Sequence, residues 1–230
     1  MSKHGKKYIK SKKLVEALTN LSVKDALAKV KSAVYTKFDE SVDAAVNLGI
    51  DASKGDQGVR GSVVLPHGKG KVPRVIVFAK GEYAEQAEKA GADQVGAEDL
   101  IDKILGGWMD FDYAVATPDL MVAVGKLAKL LGPRGLLPNK KLGTVTFDVA
   151  SAVSELKKGR AFFKNDKQGI VHFSFGKTSF DADKLNDNFM AFIKAVIAAK
   201  PAASKGKFIR KLSVSSTMGP GISINPEDVL

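Results

Sequence analysis

Apolar residues fall on every second position from Ser41 to Ile50 (SVDAAVNLGI), with Val42, Ala44, Val46, Leu48 and Ile50 on one side. That period predicts a half-buried antiparallel strand. Gly169 to Phe175 (GIVHFSF) repeats it through Val171, Phe173 and Phe175. Helical periods lie beside these strands. Ser22 stands where an N-cap is expected, three residues before Asp25 and ahead of VKDALAKVKSAV, and a long helix is predicted from Asp181 to Lys200, stopping before Pro201. Both ends of the chain therefore predict an α+β layer.

The middle has a different rhythm. Short continuous apolar runs, RVIVFAK from Arg74 and YAVAT from Tyr113, alternate with helical segments, EYAEQAEKAG ending at Gly91 and Glu98 to Leu105. A short strand is expected at Asp93 to Val95, a helix from near Pro118, and a last strand at TVTF, Thr144 to Phe147. Such alternation predicts βαβ units and a mostly parallel sheet. The reading is a discontinuous α+β domain over residues 1–67 and 159–230, with an α/β domain over 68–158 inserted. The crossings are at PHGKGK, Pro66 to Lys71, and at Gly159.

Charge divides the chain at the same places. The whole carries a formal +11, yet residues 68–158 hold 13 Lys/Arg against 12 Asp/Glu, so the ends hold almost all of the excess. Residues 1–13 contribute six lysines and no acid, and 200–211 add Lys200, Lys205, Lys207, Arg210 and Lys211. Two basic runs on segments that otherwise fold point to a polyanion. No apolar run approaches the roughly 20 residues of a membrane span, so no membrane partner is expected. The first 13 residues lack the apolar stretch of a secretory signal. Cysteine is absent, which fits a reducing cytoplasm.

Enzyme motifs fail on inspection. GKT at Gly176 to Thr178 has Val171 where a phosphate-binding loop needs glycine, and HGKGK lacks the third glycine of a dinucleotide fingerprint. His4, His67 and His172 are widely spaced and form no zinc pattern. No catalytic residue, metal or cofactor is expected. One reading of another class stays open at this point: a cytoplasmic enzyme holding a nucleotide in the middle α/β module.

Four stretches carry a resemblance over essentially the whole chain: VRGSVVLPHGKGK, GPRGLLPNKKLGTVT, NDKQGIVH and SSTMGPG. In order and spacing they resemble the family of the first protein of the bacterial large ribosomal subunit, which forms the mobile stalk near the tRNA exit site. The sequence departs from that family in having Lys140 where proline is usual and Lys164 where arginine is common. A lysine there is a point charge, not a two-pronged donor.

The resemblance implies a discontinuous split βαβ (ferredoxin-like) domain with an inserted Rossmann-like α/β domain. It also implies a chain that is a monomer when free and lies in the cytoplasm on the ribosome. The partners it implies are large-subunit ribosomal RNA, exit-site tRNA and the protein's own messenger, whose translation it would repress. The RNA-binding residues it implies are Lys37, Phe38, Lys164, Lys167, Thr217, Met218 and Gly219. Glycine would let backbone amides near Gly219 approach ribose and phosphate, Thr217 would offer a hydroxyl, Met218 an adaptable apolar surface, and lysines around this neutral floor the long-range attraction.

Structural readings stand beside these. Phe38 is equally a core aromatic, and Met218 a filler beneath the sheet. The uncharged stretch Ser215 to Ile222 is equally a frayed tail. Arg134, in the loop GPRGLLPN, either touches RNA or caps backbone carbonyls.

Overall fold

A computed structural model describes residues 5–15 and 20–229. His4 and the first part of the amino-terminal basic run lie outside the described residues. In chain order the elements are α1 (Lys6–Lys13), α2 (Val23–Ser32), β1 (Ser41–Leu48), β2 (Arg60–Val64), β3 (Val75–Phe78), α3 (Glu82–Lys89), β4 (Gln94–Gly96), α4 (Glu98–Leu105) and β5 (Tyr113–Ala116). Then follow α5 (Met121–Val124), α6 (Ala128–Leu131), α7 (Val149–Lys158), β6 (Arg160–Lys164), β7 (Ile170–Lys177), α8 (Ala182–Ala198), β8 (Ile209–Ser216) and β9 (Ile222–Ile224). Together they make a mixed α/β protein of two compact units, one running to Gly70 and resuming at Phe162, the other spanning Lys71–Ala161.

The discontinuous unit is built on a four-stranded sheet in the order β7-β1-β8-β9, with β1 antiparallel to both neighbours. Val42, Ala44, Val46 and Leu48 are buried on one face, which α2 and α8 cover. Ser22 caps α2 as expected, its hydroxyl accepting from the Asp25 N–H. The floor of this core is aromatic: Phe173 stacks on Phe192 at 4.3 Å, and Phe163 meets both edge-on. Among the described residues no helix covers the opposite face, which presents partly exposed Ser41, Asp43, Ala45 and Asn47 of β1 with Ser213 and Ser215 of β8. The carboxy-terminal stretch is no frayed tail, because Ser215 and Ser216 end β8, Ile222 begins β9, and the two strands pair antiparallel.

One residue joins the first crossing to this core. Asn188 on α8 is wholly buried; its amide donates to the carbonyls of Gly68 and Phe175 and accepts from the His67 N–H.

In the other unit, β3 lies between β4 and β5 in a parallel three-stranded sheet. Two expectations are corrected here. Thr144 to Phe147 is no strand but a single bridge, Val145 to Ala116, because left-handed Gly143 precedes it and Asp148 caps α7 immediately after. The helix expected from Pro118 is a series of short turns that α5 and α6 interrupt, with Gly125 between them. The loop after α6 turns at Gly135 and sends Leu136 and Leu137 against the core. Arg134 is exposed and makes no hydrogen bond among the described residues, so it caps no carbonyl there.

Candidate nucleic-acid interface

At the Ser41 end of the sheet the segment before β1 meets the turn after β8, and a buried carboxylate joins them. Glu40 is completely shielded from solvent. Its Oε2 accepts the Met218 N–H at 3.0 Å, and its Oε1 lies 2.6 Å from the Thr36 hydroxyl. That hydroxyl is also 3.1 Å from the Phe38 carbonyl, but it has one proton, and the shorter contact to the carboxylate takes it. Ser216 Oγ, also buried, meets no partner at full hydrogen-bonding geometry among the described residues. It still lies close enough to favour the ionised acid. Burial pushes the Glu40 carboxyl up, but the Ser216 and Thr36 hydroxyls and the Met218 N–H outweigh it and hold it below its ordinary value.

A second carboxylate fixes the neighbouring strand end. Asp39 accepts from the Thr178 hydroxyl at 3.0 Å and from the Ser179 N–H and hydroxyl at 3.0 and 2.8 Å. Burial raises its pKa, while Ser179, Thr178 and the Lys177 ammonium bring it below the ordinary value. The Tyr35 hydroxyl donates to the Met218 carbonyl at 2.9 Å, so Met218 is held at both its N–H and its C=O.

This frame leaves two large apolar side chains in solvent. Phe38 is 55% exposed and Met218 51%. Phe38 is therefore no core aromatic, and Met218 fills no gap beneath the sheet. Lys37 is exposed beside them and pairs with no acid among the described residues. On the Tyr35 side an open pocket of ≈ 400 Å³ is lined by Lys7, Lys10, Leu14 and Val34.

Backbone chemistry here differs from what the glycine-rich sequence implies. The N–H groups of Thr217, Met218 and Gly219 all have internal acceptors: the Ser41 carbonyl, Glu40 Oε2 and the Ser216 carbonyl. None is free to cradle a phosphate. Gly219 is required for packing, because a Cβ there would sit 2.4 Å from Ser216 Oγ. The Thr217 hydroxyl is likewise engaged, accepting from the Ser41 N–H at 3.0 Å and lying 3.3 Å from its carbonyl. A glycine motif in sequence does not reveal that its amides are already spent.

Lys164 and Lys167 are exposed but do not surround this floor. Lys177 pairs with Ser41, whereas Ile170 pairs with Asn47. The turn bearing Lys167 is therefore at the far end of β1, about 23 Å away for an eight-residue strand at ~3.3 Å per residue. The seven sequence candidates thus form two groups: Lys37, Phe38, Thr217, Met218 and Gly219 at one end of the sheet, Lys164 and Lys167 at the other. Sequence reasoning missed the organising roles of Glu40, Asp39 and Tyr35. The juxtaposition of a strand-entry segment with a turn some 180 residues later has no local signal.

The parallel unit offers phosphate little. The helices or turns that follow its three strands begin with acids: Glu82 and Glu85 in α3, Glu98 and Asp99 in α4, Asp119 in the turn after β5. Helix starts that carry carboxylates repel the anion they would otherwise attract. Among the described residues no helix is long and apolar enough to cross a membrane. The model of the ribosomal protein L1p/L10e family matches residues 27–220 of the chain.

Proposed function

The chain belongs to the ribosomal protein L1p/L10e family, whose members have a structural role in the ribosome and bind ribosomal RNA, and on that premise we propose how this chain binds. The Phe38 and Met218 side chains are the platform on which unstacked bases of a folded large-subunit RNA element rest, and lysines at both ends of the sheet hold its phosphates. The observation that carries this reading is the pair of half-exposed apolar side chains at one end of the sheet, Met218 being held there through its N–H by a buried carboxylate. Solvent-exposed apolar surface held rigid suits bases that must be read by stacking, and ion pairing with lysines supplies affinity that falls with salt. Thr217 and Gly219 act in this reading by building the turn that presents Met218.

The larger role follows from the same premise. The discontinuous unit serves as a split βαβ RNA-binding domain and the inserted unit as a Rossmann-like domain. The protein forms the mobile stalk of the large subunit and assists release of tRNA from the exit site. It represses its own messenger when that RNA presents a fold like the ribosomal one, since shape and base contacts transfer between RNAs that share a shape. The acids at the helix starts of the inserted unit count against a nucleotide enzyme.

The test uses the stretch of large-subunit ribosomal RNA that the wild-type protein shields from ribonuclease. Phe38→Ala and Met218→Ala should each weaken binding to it by about 1–3 kcal/mol, the scale of one base stacked on a side chain, at low and high salt alike. Wild-type affinity in both variants would refute the platform.

A further inference from the structure

The far end of the sheet carries more charge than the two lysines of the resemblance. In β8 the pairing with β1 slips: Asn47 faces Lys211, but Leu48 faces Ile209. Arg210 is the extra residue of a β-bulge, and a bulge re-aims the side chains next to it. Arg210 and Lys211 are consecutive and both exposed, between buried Ile209 and Leu212, where a regular strand would turn one of them inward.

The segment leading in is fixed as well. The Gly49 N–H donates to the Phe208 carbonyl at 2.6 Å, and Ser204 donates to the Gly49 carbonyl at 3.1 Å. A Cβ on Gly49 would lie 2.2 Å from the Lys207 carbonyl oxygen and 3.3 Å from Arg210 Nε. Across β1, the Gly169 carbonyl accepts the Leu48 N–H, which places the Lys167 turn two strands from Arg210, about 10 Å in the sheet.

Lys167, Lys207, Arg210 and Lys211 form no ion pair among the described residues. Two carboxylates nearby serve their own turns: Asp166 accepts from the N–H groups of Gln168 and Ile170, and Asp51 from that of Ser53. Glu227 and Asp228, in the turn that packs on β8, form no ion pair with the cluster among the described residues. Between the two ends the uncovered face is lined by Ser41, Ala45, Asn47, Ser213 and Ser215, with Asp43 the one acid in that stretch of β1.

We propose that Lys207, Arg210 and Lys211, with Lys167 across β1, bind the phosphate backbone of the same RNA that rests on Phe38 and Met218, so that the RNA crosses the uncovered face of the sheet. This rests on the function proposed above. The partner is assigned as RNA backbone because the cluster is cationic, forms no ion pair among the described residues, and is continuous with a polar floor, Asp43 its one acid on β1, that ends at the base platform.

The experiment titrates the ribonuclease-protected ribosomal fragment against wild type, Arg210→Gln/Lys211→Gln, Lys207→Gln and Met218→Ala over a range of salt. Removing two phosphate contacts should lower the slope of log affinity against log salt by about 1.5 to 2 units, and removing Lys207 by somewhat under one. The double variant should also leave one end of the fragment open to ribonuclease. Met218→Ala should weaken binding with the slope intact. A control, Lys24→Gln/Lys29→Gln on the exposed side of α2, should keep both slope and footprint. A wild-type slope and footprint in the 210/211 and 207 variants, or an equal fall in the α2 control, overturns the inference. If Met218→Ala still weakens binding in that case, the base platform stands; if wild type itself protects no ribosomal fragment, both fail. Circular dichroism of each variant separates misfolding from lost contact, and Lys207→Gln, which lies outside the strand, keeps the test decisive if the bulge variant unfolds.

Discussion

Glu40→Gln replaces a buried carboxylate by a neutral group of the same shape, and the structure sets both the sign and the size of the effect. Two donors reach this carboxylate at 2.6 and 3.0 Å. A hydrogen bond to an ionised acceptor contributes about 1.5–3 kcal/mol and a neutral one about 0.5–1.5, so neutralising the acceptor forfeits about 1 kcal/mol per bond. Desolvation of the charge works against this, but the folded pKa lies below its ordinary 4.5, so the donors win. The net loss is about 1–2 kcal/mol at pH 7.

Its pH dependence has a definite sign. A group whose pKa is depressed by folding stabilises above its unfolded pKa, and that contribution disappears as pH falls through the folded value. The gap between wild type and Glu40→Gln should therefore be full at pH 7 and close progressively below about pH 4.5. Trp108, the one tryptophan, lies in the other unit and does not report on this site. Urea unfolding should instead be followed by deuterium uptake in peptides from β1. A gap that is unchanged at pH 3.5, or absent at pH 7, would refute the account of Glu40 as an ionised organiser.

Asn188→Leu should cost about 2–4 kcal/mol, because it strips partners from the Gly68 and Phe175 carbonyls and the His67 N–H; chemical denaturation measures it. Gly219→Ala should destabilise the discontinuous unit by about 1–3 kcal/mol through its clash with Ser216 Oγ, and adding Ser216→Ala should recover most of the loss in the same assay. Gly49→Ala has no such remedy, since it strikes the Lys207 carbonyl in the backbone; thermal unfolding should drop, and the salt dependence of RNA binding should flatten along with it. Phe38→Ala should leave stability within about 0.5 kcal/mol, as expected for a side chain more than half exposed.

Period and punctuation made much of the fold legible. The alternation from Val42 to Leu48 marked both the strand and its buried face, and Ser22 marked the start of α2, because those signals are local. Thr144 to Phe147 misled because its β-branched residues favour a strand, while Gly143 and the Asp148 cap leave room for a single bridging residue. At the site, family motifs named the residues but not their mechanics. That the amides of Thr217 to Gly219 are spent internally depends on Glu40 and Ser41, far away in sequence. The division of the lysines between two ends follows from strand register. Register is fixed by pairing across the sheet and is invisible to spacing along the chain.

The central claim is that Phe38 and Met218 meet the RNA, and hydroxyl-radical oxidation of the protein, free and bound to the protected ribosomal fragment, tests it most directly. Free protein should be oxidised readily at Met218, Phe38 and Phe147, all of which are about half exposed. With RNA bound, Met218 and Phe38 should be protected while Phe147 in the inserted unit keeps its rate. Undiminished oxidation of Met218 and Phe38 in a saturated complex would contradict the account.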